Sequence, residues 1–166
     1  MAPAEFSLDL NTTRDTDTLA SVLADLARPG LAVLLEGPVG AGKSYLARAV
    51  ILDLLARENR VEEVPSPTFT LVQTYQSLGL EIWHADLYRL TSTEDLIELG
   101  LDAAFATAFC LIEWPDRLSE DLIPETAIRL VLDHGNTDTH RTCRVSVSGR
   151  DAEDLDQTLR QRLTHG

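Results

Sequence analysis

The segment GPVGAGKS, from Gly37 to Ser44, restricts the fold of this chain more than any other stretch. It matches the pattern G-x-x-x-x-G-K-[ST] in full. The residues before it, LAVLLE at 31–36, form a continuous apolar run, which is typical of a strand buried on both faces of a parallel sheet. The residues after it, at 45–56, have the pattern of a helix. The order of strand, glycine-rich loop and helix therefore predicts an α/β fold that carries a phosphate-binding loop.

Small residues give this loop its predicted chemistry. Glycine at 37, 40 and 42 permits close approach that side chains would block, so backbone N–H groups and the helix N-terminus can face an anionic phosphate. Lys43 adds a cation for the terminal phosphates, and Ser44 can offer its hydroxyl to Mg²⁺. Lys43 is the only lysine of the chain, which indicates that a compact ammonium is needed there. The alternative is a tight strand-to-helix turn that binds nothing.

Two acidic residues are candidates for metal and water chemistry beside the loop. Asp86 ends the strand-like segment EIWHAD, and Glu113 follows the apolar run FCLI. Either carboxylate could hold Mg²⁺, directly or through water, or orient an attacking water. For each of them, an N-cap or a solvated turn is the alternative. Guanine-specific enzymes of this class read the base with an N-K-x-D segment, which cannot exist when the sole lysine is already in the loop, so we expect ATP.

Three further residues lie next to these candidates. His84 shares the strand face of Asp86, where it is either a partner of the site or a packed structural histidine. Trp114 follows Glu113, and it could stack on a base or simply cover the core. Thr68, in the rigid Ser-Pro-Thr turn, is a candidate switch-loop residue whose hydroxyl would sense the terminal phosphate.

The remaining patterns predict one P-loop ATPase domain over residues 1–166. We expect a three-layer, P-loop NTPase-like, mainly parallel sheet flanked by helices, with a C-terminal antiparallel hairpin within residues 126–148. Strands are further predicted at 5–10, 65–76, 80–88 and 108–114. Helices are predicted between about 16 and 28, over 93–108 with Thr93 as the N-cap, and over 151–163.

Charge and composition exclude several classes of function. With 14 basic and 27 acidic residues the net charge is −13, which repels nucleic acid phosphates, so we expect no autonomous binding of nucleic acid. No stretch approaches the roughly 20 apolar residues of a membrane span, and the first ten residues do not resemble an export signal. Cys110 and Cys143 fit a reducing cytoplasm as packing residues, with a metal or disulfide role as the alternative.

Five segments in this order resemble one family, the bacterial tRNA threonylcarbamoyladenosine biosynthesis ATPases called TsaE. They are GPVGAGKS, SPTFTLVQTY, HADLYRL, ELGLDAAF and CLIEWPDRL. The resemblance extends from about Thr16 to Arg144. It implies a small α/β ATPase of the cytoplasm that works with the proteins TsaB and TsaD, with tRNA engaged only indirectly through the complex. Its hydrolysis would support turnover of that complex. We expect hydrolysis by the chain alone to be slow, because the sequence shows no obvious arginine finger.

The resemblance also implies roles for individual residues. Ser44 and Glu113 would hold Mg²⁺, and Asp86 and Lys43 would serve in hydrolysis. Nucleotide contacts are implied for Gly37, Gly40, Ala41, Gly42, Lys43, Ser44, Tyr45, Thr13, Trp114 and Arg141. The chain departs from the family pattern at Pro38, Tyr45, Ala20 and His140, where an acidic or amide residue, a threonine, a glycine and a glycine are usual.

Two other functions are compatible with a phosphate loop. A P-loop kinase would transfer the γ-phosphoryl group to a small hydroxyl substrate, but it needs an arginine-rich lid, and Arg57 and Arg60 are the nearest approach to one. A non-catalytic module would use ATP only to order the switch loop for partner binding.

Overall fold

A computed structural model describes residues 4–164, which form a seven-stranded sheet with helices on both faces. The strands are β1 Glu5–Leu10, β2 Leu31–Glu36, β3 Val72–Ser77, β4 Leu80–Asp86, β5 Phe109–Glu113, β6 Thr126–His134 and β7 Arg141–Ser148. The helices are α1 Thr13–Leu26, α2 Lys43–Ala56, α3 Thr93–Leu99, α4 Leu101–Thr107 and α5 Ala152–Thr164. Short 3-10 turns cover Pro115–Arg117 and Glu120–Leu122.

The strand order in the sheet is β1-β7-β6-β2-β5-β4-β3. The four central strands, β6, β2, β5 and β4, are parallel to one another, whereas β1 and β7 at one margin and β3 at the other are antiparallel to their neighbours. The sheet is therefore mixed, and the prediction of a mainly parallel sheet holds only for its centre. The predicted C-terminal hairpin is confirmed as β6 and β7.

Side chains of β2 alternate between two apolar clusters, as expected for a strand covered on both faces. Leu31, Val33 and Leu35 pack with residues of α1, α2 and α5 on one face, while Ala32 and Leu34 pack with α3 and α4 on the other. Because β2 lies in the middle of the sheet, its carboxyl end is enclosed by neighbouring strands. The loop that follows β2 therefore opens onto the carboxyl edge of β5 and β4.

The predicted helix over 93–108 is wrong in its continuity and in its cap. Gly100 adopts a left-handed conformation, with φ 83°, that ends α3 and precedes α4. Glycine takes this conformation without the clash of a Cβ, so the chain turns there although the neighbouring residues favour a helix. The N-cap position of α3 is Ser92, and Thr93 is its first helical residue.

The predicted strand over 65–76 begins only at Val72. Pro65 and Pro67 have no N–H group to donate to a neighbouring strand, and the Leu71 N–H turns back to the Pro67 carbonyl oxygen at 2.8 Å. Residues 65–71 are consequently a loop. Its end is tied to the carboxyl end of β4, since the Asp86 N–H donates to the Leu71 carbonyl oxygen at 2.9 Å.

Both cysteines are buried free thiols, in agreement with the prediction that they are packing residues. Cys110 lies in the cluster beneath α3 and α4, and Cys143 lies in the cluster beneath α1 and α5. Burial raises the pKa of each thiol to about 12. Within residues 4–164, no helix has the length and apolar character that crossing a membrane requires.

Candidate functional site

The loop between β2 and α2 folds tightly over the carboxyl end of the sheet. At Gly37, φ is 143°, and a Cβ there would overlap the backbone carbonyl oxygen of Leu132 in β6. The glycine is thus required by the close approach of two main chains. Gly42, with φ 104°, is the N-cap residue of α2 and offers no side chain to the helix terminus. The first N–H groups of α2 therefore remain for a ligand in the cleft.

Ala41, for which the resemblance implied a nucleotide contact, lies in the loop with its side chain turned into the core. Its side chain is fully buried in the core beneath the loop, and its N–H donates to the Pro38 carbonyl oxygen at 3.1 Å. Any contact of Ala41 with a ligand would have to come from its remaining backbone atoms.

Lys43 is the first residue of α2 and is only 5% exposed. Its Nζ donates to the carbonyl oxygens of Gly37 at 2.6 Å and Pro38 at 3.0 Å, and it lies 4.3 Å from the centre of the Trp114 ring. Burial lowers the pKa of Lys43, while the nearby carboxylates, Glu113 foremost, act in the opposite direction. The ammonium is thus held inside the loop, next to the space that phosphate groups would occupy.

Glu113 and His84 form a buried polar chain beneath Ser44. The Ser44 hydroxyl donates to Glu113 Oε1 at 2.7 Å, and Glu113 Oε2 lies 2.7 Å from His84 Nε2. His84 is fully buried, and its Nδ1 has no hydrogen-bond partner in the part of the chain that the structure describes. His84 was expected to be either a partner of the site or a packed structural histidine. The geometry agrees with both, because the ring is packed in the core and is also hydrogen-bonded to a candidate metal ligand. Its bonded partner is Glu113, not Asp86.

Asp86 lies at the carboxyl end of β4, directly beside Glu113 in the register of the sheet. It is 6% exposed, and its Oδ1 accepts from the N–H of Tyr88 at 3.0 Å. The Thr68 hydroxyl lies 3.5 Å from Asp86 Oδ2, so the predicted switch-loop residue does face this carboxylate. Because the contact at Oδ2 is longer than the one at Oδ1, Oδ2 is the less strongly hydrogen-bonded of the two Asp86 carboxylate oxygens.

Trp114 begins the turn after β5 in a left-handed conformation, with φ 59°. Non-glycine residues rarely take this conformation, and those that do cluster at active sites and ligand clamps. The backbone N–H of Trp114 donates to the Leu35 carbonyl oxygen at 3.2 Å, and the Tyr88 ring packs on the indole with ring centroids 4.9 Å apart. Sequence reasoning missed Tyr88, although it belongs to the HADLYRL segment.

Tyr45, the third residue of α2, replaces the usual threonine, and its side chain points toward α1. Its hydroxyl donates to Asp17 Oδ1 at 2.9 Å, which raises the pKa of Tyr45, and Thr13 lies beside the same hydroxyl. Thr13 is therefore connected to the start of α2 through Tyr45. Asp17 was not predicted, and no sequence motif marked it.

Arg141, at the start of β7, also reaches the loop. Its Nη1 donates to the carbonyl oxygens of Asp138 at 2.7 Å and His140 at 3.1 Å, and its Nη2 lies 3.4 Å from the Gly40 carbonyl oxygen. Thus Arg141 lies next to the loop, and Thr13 lies beside the Tyr45 hydroxyl, although both are distant from the loop in sequence.

A cleft of about 440 Å³ opens between these groups. Its lining consists of Val39, Gly40, Gly42, Lys43, Ser44, Tyr45, Thr68, Asp86, Tyr88, Glu113 and Trp114. A larger cavity of about 740 Å³ runs along the outer face of α2, but of the candidate residues only Tyr45 lines it. The smaller cleft is the candidate site, because it contains the Lys43 ammonium, both candidate carboxylates and the N-terminus of α2.

The residues of the cleft fit a magnesium ion held jointly with a bound phosphate. Within residues 4–164, no three histidine, cysteine, aspartate or glutamate side chains gather to form a metal cage. Mg²⁺ is usually held by one or two protein oxygens together with substrate phosphates and water. The Ser44 hydroxyl and the Glu113 carboxylate are a donor set of that kind. They are hydrogen-bonded to each other beside the loop.

The sequence profile described as "Threonylcarbamoyl adenosine biosynthesis protein TsaE" matches residues 10–143, most of the chain. The chain belongs to the TsaE family. A tRNA threonylcarbamoyladenosine biosynthesis protein TsaE from Rickettsia felis is 39% identical over 117 residues, which are 70% of this chain and 67% of that protein. The protein of the same name from Haemophilus influenzae is 36% identical over 134 residues, which are 80% of this chain and 79% of its own length.

A solved structure agrees with the family assignment. The crystal structure of YdiB from Bacillus subtilis superposes with a TM-score of 0.77 at 25% sequence identity, and the match covers 97% of each chain. The architecture described above is therefore shared with an experimentally determined fold. The family membership links the chain to tRNA threonylcarbamoyladenosine biosynthesis, which confirms the resemblance found in its sequence segments.

Proposed function

We propose that this chain is a single P-loop ATPase domain that binds ATP with Mg²⁺ and hydrolyses it in the tRNA threonylcarbamoyladenosine machinery. The observation that carries the proposal is the convergence of Lys43, Ser44, Asp86 and Glu113 in one cleft. A phosphate loop alone would support binding only. Two carboxylates at the ends of neighbouring parallel strands add the groups that hydrolysis needs.

Each residue has a distinct task in this proposal. The N–H groups at the start of α2 and the Lys43 ammonium bind the terminal phosphates, and Ser44 and Glu113 hold Mg²⁺. When bound there, Mg²⁺ neutralises charge on the phosphate oxygens. Asp86 Oδ2 orients the attacking water and accepts its proton, with Oδ1 fixed by the Tyr88 N–H. The Trp114 ring covers the ammonium and limits the access of water to it.

Hydrolysis by the chain alone is expected to be slow. The residues that line the cleft in the described part of the chain include no arginine, and Arg141 reaches the loop only at the Gly40 carbonyl oxygen, 3.4 Å from its Nη2. Charge developing on the γ-phosphate is stabilised in faster enzymes by an arginine that is often supplied by a partner. We therefore propose that TsaB and TsaD complete the site. We further propose that tRNA is engaged only indirectly through that complex and that the chain acts in the cytoplasm.

The runner-up function, phosphoryl transfer to a small hydroxyl substrate, lacks a supporting contact. Arg57 and Arg60, the candidates for a lid, lie at the far end of α2 from the phosphate loop. Their guanidinium groups are bonded to acidic neighbours, namely Asp25, Asp53, Glu58 and Glu62. They are thus used as surface ion pairs.

Incubation with ATP labelled at the γ-phosphate tests the proposal. We expect labelled inorganic phosphate to be the product, with a higher rate when purified TsaB and TsaD are added. Replacement of Asp86 by Ala should lower hydrolysis at least about 100-fold and leave ATP binding in place, since the Asp86 carboxylate is hydrogen-bonded to Tyr88 and Thr68, which lie outside the phosphate loop. A labelled metabolite would support the kinase instead, and unchanged hydrolysis by Asp86→Ala would refute the role of Asp86.

A further inference from the structure

The turn between β6 and β7, residues 135–140, is closed by the side chain of its last residue. His140 Nδ1 accepts the N–H of Asn136 at 3.2 Å, and His140 Nε2 lies 3.1 Å from Asp9 Oδ1 in β1. Because Nδ1 is an acceptor, the neutral ring carries its hydrogen on Nε2 and donates it to Asp9. One imidazole therefore joins the turn to the neighbouring strand.

The backbone of the turn is fitted to this ring. The Gly135 N–H donates to the His140 carbonyl oxygen at 2.8 Å, and a Cβ at Gly135 would overlap the imidazole. The His140 side chain is only 17% exposed, although the rest of the turn faces solvent. The ring thus packs on the main chain at Gly135 and fixes the shape of the turn.

The closed turn also holds the side chain of Arg141. The carbonyl oxygens of Asp138 and His140 both accept from Arg141 Nη1, at 2.7 and 3.1 Å, while Nη2 lies 3.4 Å from the Gly40 carbonyl oxygen of the phosphate loop. A long arginine side chain loses considerable freedom when it is fixed in one place. Two carbonyl groups of a rigid turn reduce that loss at the moment of binding, because the guanidinium is already at the loop.

We infer that His140 is a positioning residue for nucleotide binding: it keeps the 135–140 turn closed against Asp9 so that the Arg141 guanidinium stays at the phosphate loop. The inference rests on the proposed binding of ATP at that loop. His140 does not itself line the cleft. We propose that its effect on ATP affinity passes through Arg141, which the turn holds at the Gly40 carbonyl oxygen, so the two residues should be energetically coupled.

A double-mutant cycle measures this coupling by calorimetric titration of ATP with Mg²⁺. We expect His140→Ala to weaken ATP binding roughly three- to tenfold in the parent chain, the range of one lost hydrogen-bonded arrangement. In the Arg141→Ala chain, the same replacement should change the affinity by less than about twofold. A general loss of stability would lower affinity equally in both backgrounds.

Three further variants complete the test. Asp9→Ala, which removes the acceptor of the imidazole without touching the turn, should reproduce the effect of His140→Ala. His140→Gln, whose amide can both accept and donate, should recover part of the affinity. Thr139→Ala, a neutral replacement at an exposed position of the same turn, should bind ATP like the parent chain.

The failure of this inference differs from the failure of the proposed function. If the parent chain does not bind ATP, both are overturned. If the parent chain binds ATP and Asp9→Ala and His140→Ala bind it equally well, only the positioning role is overturned. The same holds if His140→Ala weakens binding to the same extent with and without Arg141. Should His140→Ala fail to fold, the comparison of Asp9→Ala with and without Arg141 decides by the same criterion.

Discussion

Lys43 shows how one residue links the loop to its ligand. Its nearly buried ammonium donates to the neutral carbonyl groups of Gly37 and Pro38, and burial lowers its pKa. The folded chain therefore binds this proton less tightly than the unfolded chain does. It follows that the contribution of Lys43 to stability becomes more favourable as pH rises from the lowered pKa to the ordinary value of 10.5. Bound phosphate groups would add negative charge beside this ammonium and favour its charged form.

Glu113 carries a prediction about magnesium. Replacement of Glu113 by Ala should weaken ATP binding in the presence of Mg²⁺ by roughly tenfold or more, and weaken binding in EDTA far less, because the carboxylate acts on the metal. Titrations of ATP with Mg²⁺ and with EDTA measure the two affinities. The matched control is Asp116→Ala, which removes an exposed carboxylate near Lys43 that does not line the cleft. Equal losses with and without Mg²⁺ would contradict the metal role.

The two cysteines carry a prediction about reactivity and pH. Their pKa values rise from an ordinary 9.0 to about 12 because the thiols are buried. The raised values add stability that is complete below pH 9.0 and is lost as pH rises from there toward 12. We expect the folded chain to react slowly with Ellman's reagent at neutral pH and to release both thiols rapidly in denaturant. Fast labelling of the folded chain would show that a thiol is accessible.

At the scale of elements, the loop and strand β6 depend on the glycine at 37. Replacement of Gly37 by Ala should lower the free energy of unfolding by at least about 3 kcal/mol, since the new Cβ overlaps the Leu132 carbonyl oxygen. Replacement of Gly42 by Ala is the matched control. It also has a positive φ but no atom within 4 Å of the new Cβ, so we expect a loss of about 1 kcal/mol. Urea denaturation measures both, and similar losses would show that close packing is not the cause.

Regular periodicity and local motifs predicted most elements correctly, including β1, β2, α2 and the β6–β7 hairpin. The errors lie where one residue overrides its neighbours. Gly100 divides a segment that is otherwise helical, and two prolines keep residues 65–71 out of the sheet. Three parts of the candidate site could be predicted from the sequence, namely the loop, Asp86 and Glu113, because each lies at the end of a recognisable strand. The bonds of His84 to Glu113 and of Tyr45 to Asp17 were not, because they join elements that are distant in sequence.

At the scale of the whole molecule, the net charge of −13 disfavours direct binding of the chain to the nucleic acid that its family serves. We expect the chain alone not to shift tRNA in a gel at physiological salt, since the two polyanions repel each other. With TsaB and TsaD present, tRNA should enter the complex through their surfaces. Tight binding of tRNA by the isolated chain would contradict this account.

Calorimetric titration of ATP with Mg²⁺ into the isolated chain tests the central claim most directly. We predict saturable heat with one site per chain, and its loss in Lys43→Ala, which removes the ammonium from the loop while circular dichroism shows an intact fold. Absence of heat in the parent chain, or equal binding by Lys43→Ala, would contradict the claim that this cleft binds a nucleoside triphosphate.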